Sequence, residues 1–266
     1  MAYYYHRDTD IYFQHQYLNS KEHIVPFIEG AFPLNNGMKI LEIGCGEGGI
    51  LKAFLEKGCL VTGVDLNNHK IGIANDYFKE EIAQGKAEFI SKDIYDPGFT
   101  KKFEHQFDLV ILKDAIEHIH DQKKIIDYLK NYIKKDGKIF LGFPPWFNPM
   151  AGHQQICKNK LLDKLPYYHL LPKALYVGVL KAFNEEQAWI DELVEIKSLG
   201  ISIERFKRIL KKTGYRVVKR EHFLVNPKYK YKFNLQPKVL PKVFDFIPYL
   251  REFFITTAYY LIEPYK

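Results

Sequence analysis

Short apolar runs alternate with stretches of helical period along this chain. Residues 39–43 (KILEI), 59–65 (CLVTGVD), 87–90 (AEFI), 107–113 (FDLVILK) and 138–143 (KIFLGF) read as strands. The fourth is apolar throughout after Asp108, which predicts burial on both faces. Residues 50–57, 67–80 and 125–134 read as helices, and Asp136 with Gly137 as a turn. Strands and helices in this rhythm predict a parallel, doubly wound α/β sheet. Further along, 203–212 predicts an amphipathic helix, and 215–225 and 254–262 two more strands. The first 37 residues carry aromatic and amide side chains, including Tyr3, Tyr4 and Tyr5. A helical pattern through Ile24, Phe27 and Ile28 follows and predicts an amphipathic helix packed on the sheet.

The first strand runs into glycines at 44, 46, 48 and 49, so it feeds a tight turn with a helix behind it. A side chain there would keep the backbone away from a ligand or force an unfavourable φ. The helix that follows aims its unpaired N–H groups at whatever binds. Gly44, Gly46 and Gly49 satisfy G-x-G-x-x-G, and Asp65 lies about twenty residues on, as a dinucleotide site also requires. Glu42 tilts the balance, because an acid at this lip suits a ligand carrying ammonium and sulfonium groups and would repel a pyrophosphate.

With Glu42-x-Gly44-x-Gly46-x-Gly48, the chain resembles the class I S-adenosylmethionine (SAM)-dependent methyltransferases, whose first motif is E/D-x-G-x-G-x-G. Within that family it looks like the small-molecule, quinone-biosynthesis O-methyltransferases. The resemblance implies SAM as cofactor and S-adenosylhomocysteine (SAH) as product. It implies a Rossmann-like sheet of seven strands in the order 3-2-1-4-5-7-6, strand seven antiparallel, with a helical lid inserted after strand five. By it, Glu42, Gly44, Cys45, Gly46 and Gly48 form the cofactor loop. Asp65, with Leu66 after it, meets the ribose hydroxyls, as a carboxylate at a strand's end can. Asp93 and Ile94 meet the adenine, and Lys113 and Asp114 stand at the tip of strand four beside the methionine half. One domain is expected, with 1–37 as a helical cover, 38–147 as the SAM-binding core, 148–200 as the lid and 201–266 completing the sheet. Tyr12, Gln16 or Tyr17 of the cover would reach the cofactor.

Phe143-Pro-Pro-Trp-Phe-Asn-Pro149 cannot be regular structure, because its three prolines remove donors and fix φ. It leads into a basic, aromatic-rich stretch at 165–183. Methyl transfer is an in-line displacement, and an acceptor hydroxyl must shed a proton, so a base is wanted. His153, in a loop past strand five, and His118, in the Glu117-His118 pair that resembles the family's segment after strand four, are the candidates, with His169 behind them.

The composition, 47% hydrophobic over 266 residues, permits one substantial core. A net charge of +7 favours anionic partners. The cysteines at 45, 59 and 157 share no C-x-x-C spacing, so neither zinc site nor disulfide framework is expected, and no metal ligands are evident. No signal-peptide pattern opens the chain, which predicts a cytoplasmic protein. Lys228, Lys230, Lys232, Lys238 and Lys242, interleaved with aromatics, suit a nucleic-acid track. The N/D-P-P-Y/F tetrapeptide of amino-directed base methyltransferases is missing after strand four, however, so nucleic acid is disfavoured. The expected partner is a small-molecule acceptor, a hydroxylated or aromatic metabolite. A lipid-like or quinone precursor taken at an anionic membrane surface by the apolar lid is the alternative.

Overall fold

The computed structural model describes residues 9–244 and 246–265; Tyr3, Tyr4 and Tyr5 fall outside them, as does the side chain of Lys242. The chain begins with α1 (Thr9–Asn19), a π-helical turn at Ser20–Ile24 and α2 (Val25–Glu29). Then come β1 (Lys39–Ile43), α3 (Gly49–Glu56), β2 (Leu60–Asp65), α4 (Asn68–Tyr77), α5 (Lys79–Ala83), β3 (Ala87–Ser91) and α6 (Pro97–Phe103). β4 (Phe107–Lys113), α7 (Gln122–Tyr128) and β5 (Ile133–Phe143) complete the parallel part. Beyond them lie α8 (Lys173–Ala182), α9 (Gln187–Leu199), α10 (Ile203–Lys212), β6 (Tyr215–Val225), α11 (Tyr229–Phe233), β7 (Lys238–Val239) and β8 (Thr257–Pro264).

The sheet order is β3-β2-β1-β4-β5-β8-β6-β7. β1 to β5 pair in parallel, and β8 runs antiparallel between β5 and β6. This is the Rossmann-like, doubly wound architecture expected, with one correction: the sheet has eight strands rather than seven. The eighth, Lys238–Val239, pairs with Phe223 and Val225 at the outer edge. A two-residue strand, within the three residues between Pro237 and Pro241, is too short for a period-2 pattern to emerge.

Alternation along the inner strands divides the core between the two faces of the sheet. On β4, Val110 and Leu112 join one apolar layer, while Leu109 and Ile111 join the other. β8 does the same, with Ala258, Tyr260 and Ile262 on one side and Tyr259 and Leu261 on the other. Full burial of one such Leu or Ile contributes about 1.5–3 kcal/mol. Helix α10 shows the matching helical period, burying Ile203, Phe206, Ile209 and Leu210, and Ser202 caps it by accepting Arg205 N–H.

Two boundaries differ from expectation. The expected turn at Asp136–Gly137 lies inside β5, because Ile133 already pairs with Phe107 and a register shift absorbs the extra residues. Helix α7 accordingly ends at Tyr128 rather than at 134. The last strand starts at Thr257, since 250–254 forms a 3₁₀ turn that leaves Phe254 exposed.

The segment after β5 carries α8 and α9 and an apolar core of its own, built from Cys157, Leu162, Tyr168, Tyr176, Leu180, Ile190 and Leu193. Hydrogen bonds fasten it in place: Trp146 N–H donates to Ile201 O (2.9 Å), Gln122 Nε2 of α7 to Leu199 O (2.6 Å), and Tyr167 OH to Phe253 O (2.8 Å).

Candidate active site

A cleft of about 480 Å³ opens at the carboxyl ends of β1, β2 and β4, where open α/β sheets bind ligands. Ten of the eleven residues expected to hold a cofactor line it: Glu42, Gly44, Cys45, Gly46, Asp65, Leu66, Asp93, Ile94, Lys113 and Asp114. Gly48 does not. A Cβ there would come within 3 Å of Phe89 and Phe78, so this glycine serves packing beneath the turn.

Gly44 and Gly46 both have positive φ (73° and 53°), which turns the chain sharply off β1 and leaves bare backbone at the lip. Their amides are held from below: Gly44 N–H donates to Val64 O (2.8 Å), and Gly46 N–H donates to Asp65 Oδ2 (2.9 Å). Asp65 Oδ1 accepts Asn67 N–H (2.8 Å), and Asn67 caps α4 through His69 and Lys70 N–H. Asp93 Oδ1 accepts Tyr95 N–H (2.9 Å) beside Ile94.

Glu42 lies at the bottom of the cleft, 2% exposed, and its Oε2 has no hydrogen-bond partner. Burial, and then the charge of Asp65, push its carboxyl well above the usual carboxylate range. An orphaned buried acid under a bare glycine turn fits a ligand ammonium, and the acids at the tips of β2 and β3 fit hydroxyl and amino donors. In kind, the residues lining the cleft fit a ligand such as SAM.

At the tip of β4 the side chain of Lys113 is buried, room for it coming from Gly142 opposite on β5. A Cβ at Gly142 would meet Lys113 Cδ at 2.4 Å. Lys113 pairs with Asp114, which also pairs with Lys228 at 3.2 Å. Burial pushes Asp114 up, but these two ammoniums outweigh it and hold the carboxyl well below its usual value. Burial lowers Lys113, against the pull of Asp114.

Of the candidate bases, only His118 lines the cleft. His153 stands behind it, the two rings edge to face at 5.1 Å between centroids, in a left-handed conformation (φ 53°). Burial, then the neighbouring His118 and Lys228, lower His153 to about 4. Glu117 faces the same small cavity as His153; burial and then Asp114 raise its carboxyl to about 8. His169 is fully buried within the segment after β5, with Nε2 3.0 Å from Trp146 O.

From the N-terminal cover, Tyr12 and Gln16 reach the cleft, bonded to each other at 2.8 Å, while Tyr17 turns away to Glu56. Of the lysines that would suit a nucleic-acid track, Lys228 and Lys232 line a small cavity beside the cleft and Lys230 pairs with Glu22. The i,i+4 spacing of Lys228 and Lys232 was the only sequence signal of that pair. Among the described residues no helix is long and apolar enough to cross a membrane, and no group of three or more His, Cys, Asp or Glu suits a metal.

The chain is 28% identical to a ubiquinone biosynthesis O-methyltransferase of Coxiella burnetii (strain Dugway 5J108-111) over 145 residues, 53% of this chain and 55% of that protein. It thus spans about half the length of the curated relatives it matches. Geranyl diphosphate methyltransferase, solved with SAM, superposes with a TM-score of 0.56 at 13% identity, covering 90% of this chain and 83% of that one. Phosphoethanolamine N-methyltransferase 2 of Haemonchus contortus, also with SAM, gives 0.58 at 15% identity, covering 99% and 59%. At such identities these two bear on the fold alone. The methyltransferase-domain family matches residues 13–220, so the chain belongs to that family, whose members use S-adenosyl-L-methionine.

Proposed function

We propose that this protein is a SAM-dependent methyltransferase that methylates oxygen on a small hydroxylated or aromatic acceptor. The observation that carries the reading is the cleft itself: an orphaned buried Glu42 beneath a glycine turn, with Asp65 and Asp93 on the same wall. The cofactor supplies a methyl on a positively charged sulfur. An acceptor hydroxyl lying in the cleft would pass its proton to His118 as the methyl the cofactor supplies is taken up. Burial keeps His118 below its usual pKa, against the pull of Asp114, so its imidazole is neutral at pH 7 and able to accept. His153 positions that ring by packing against it. Tyr12 and Gln16 cover the cleft and help exclude water.

Calorimetry with SAH and with NAD tests the cofactor, and a SAM-loaded screen of phenols, carboxylic acids and quinone precursors tests the acceptor. SAH binding with methylated phenol is expected; NAD binding without SAH binding sinks the reading.

A lipid-like acceptor met at a membrane surface is favoured by one observation. Val243 (63% exposed), Phe246 (71%), Leu250 (53%) and Phe254 (58%) crowd one short segment. Co-sedimentation with anionic vesicles, abolished by Phe246→Ser with Phe254→Ser, is the expected outcome; no sedimentation of the native chain removes this alternative.

A further inference from the structure

Away from the cleft, a groove of about 270 Å³ runs between the start of α7 and α10. Arg205, Arg208 and Lys212 line it from α10, at the i, i+3, i+7 spacing that places them on one face of the helix. Like charges three and four residues apart repel along a helix. The second helix adds to that repulsion, because Lys123 of α7 lines the same groove. Asp121 is the one carboxylate lining it among the described residues, and its Oδ1 is spent on capping α7 through Lys124 N–H (2.8 Å). The acids on the two helices themselves are engaged elsewhere: Glu204 pairs with Lys207 and Arg251, and Asp127 with Lys130. Among the described residues, the side chains of Lys123, Arg208 and Lys212 make no ion pair or hydrogen bond. Arg205 Nη1 donates to Gly200 O (3.1 Å), which steadies its guanidinium and leaves the remaining N–H donors to a ligand. A concave surface with cations on two walls draws anions from solution.

We propose that this groove is a second ligand site that holds the phosphate group of a small anion, either a free diphosphate or a phosphate monoester. A carboxylate offers its oxygens in one plane, which suits a single guanidinium. A phosphate offers three oxygens and about two negative charges, so it meets the arginines of α10 and Lys123 of α7 together. None of the groove's residues lines the cofactor cleft, so the site stands apart from the methyltransferase reading. The two are neighbours along the chain all the same: His118 and Ile119 line the cleft, and His120 lines the groove.

The full chain is titrated in a calorimeter, at about 0.1 M salt, with diphosphate, phenyl phosphate and benzoate. At least one phosphate is expected to bind at least about tenfold more tightly than benzoate, and the tighter of the two tells diphosphate from monoester. Arg208→Gln and Lys123→Gln, on opposite walls, are each expected to weaken that phosphate about fivefold or more. Both side chains are exposed, so both variants should melt with the native chain. Lys211→Gln, on the same helix but outside the groove, is expected to leave the affinity within about twofold. Benzoate binding as tightly as both phosphates, or no phosphate binding at all, overturns the site. A loss from Lys211→Gln equal to that from Arg208→Gln also overturns it, since a diffuse positive surface then accounts for the binding. Unchanged phosphate affinity in both groove variants puts the anion elsewhere and has the same consequence.

Discussion

Asp65 Oδ2 accepts the Gly46 amide at 2.9 Å, which makes the acid at the tip of β2 and the glycine turn after β1 one unit. Its other oxygen accepts Asn67 N–H at the start of α4. Asp65→Asn keeps the shape but removes the charge and one acceptor. It is expected to cost about 1–2 kcal/mol of stability by denaturant unfolding and to weaken SAH by about tenfold. Unchanged SAH affinity would remove Asp65 from the cofactor site.

Glu42 couples cofactor binding to a proton. Its folded pKa is raised by burial, so the folded chain holds a proton that the unfolded chain has released above the ordinary carboxylate range. Stability contributed here therefore falls as pH rises from that range through the raised folded value. A ligand ammonium favours the ionised form, so SAH binding should release a proton and tighten with rising pH in that window. Calorimetry in two buffers of different ionisation enthalpy measures the release. Glu42→Gln should abolish it and bind SAH about tenfold or more weakly, while melting no lower than the native chain at pH 8.

His118 and His153 separate by their place. His118→Ala is expected to lower kcat by about a hundredfold or more with SAH affinity unchanged, if this cleft-lining ring takes the acceptor's proton as proposed. His153→Ala should cost less, because it acts through its neighbour's ring. With both histidines shifted below their usual pKa, the acid limb of the rate profile should lie below the ordinary histidine range. A larger loss from His153→Ala would reverse the two roles.

Gly142→Ala places a Cβ against Lys113 Cδ, so the buried lysine side chain must shift. The expected cost is about 1–3 kcal/mol of stability, read by thermal unfolding; an unchanged melting temperature would show that Lys113 moves aside freely.

The lid has its own apolar core, so Leu193→Ala should loosen it without opening the sheet. Limited proteolysis is expected to cut between 150 and 200 first, leaving the parallel strands protected. Simultaneous loss of both parts would show that lid and sheet unfold together.

The central strands, their parallel order and the acids that line the cleft were legible along the chain, because each depends on neighbours in sequence. An apolar run ending in glycine defines a strand and its turn, and Glu42 and Asp65 occupy strand ends, with Asp93 just past one. Only tertiary structure decided that Gly48 packs on Phe89 and Phe78 rather than facing the ligand, and that His118 rather than His153 reaches the cleft. It alone brought Lys228 and Lys232 from near the end of the chain to Lys113 and the first helix, and added the two-residue strand at 238–239. Contacts of this kind join residues far apart in sequence, and no local period records which side chains will share a cavity once the sheet has closed.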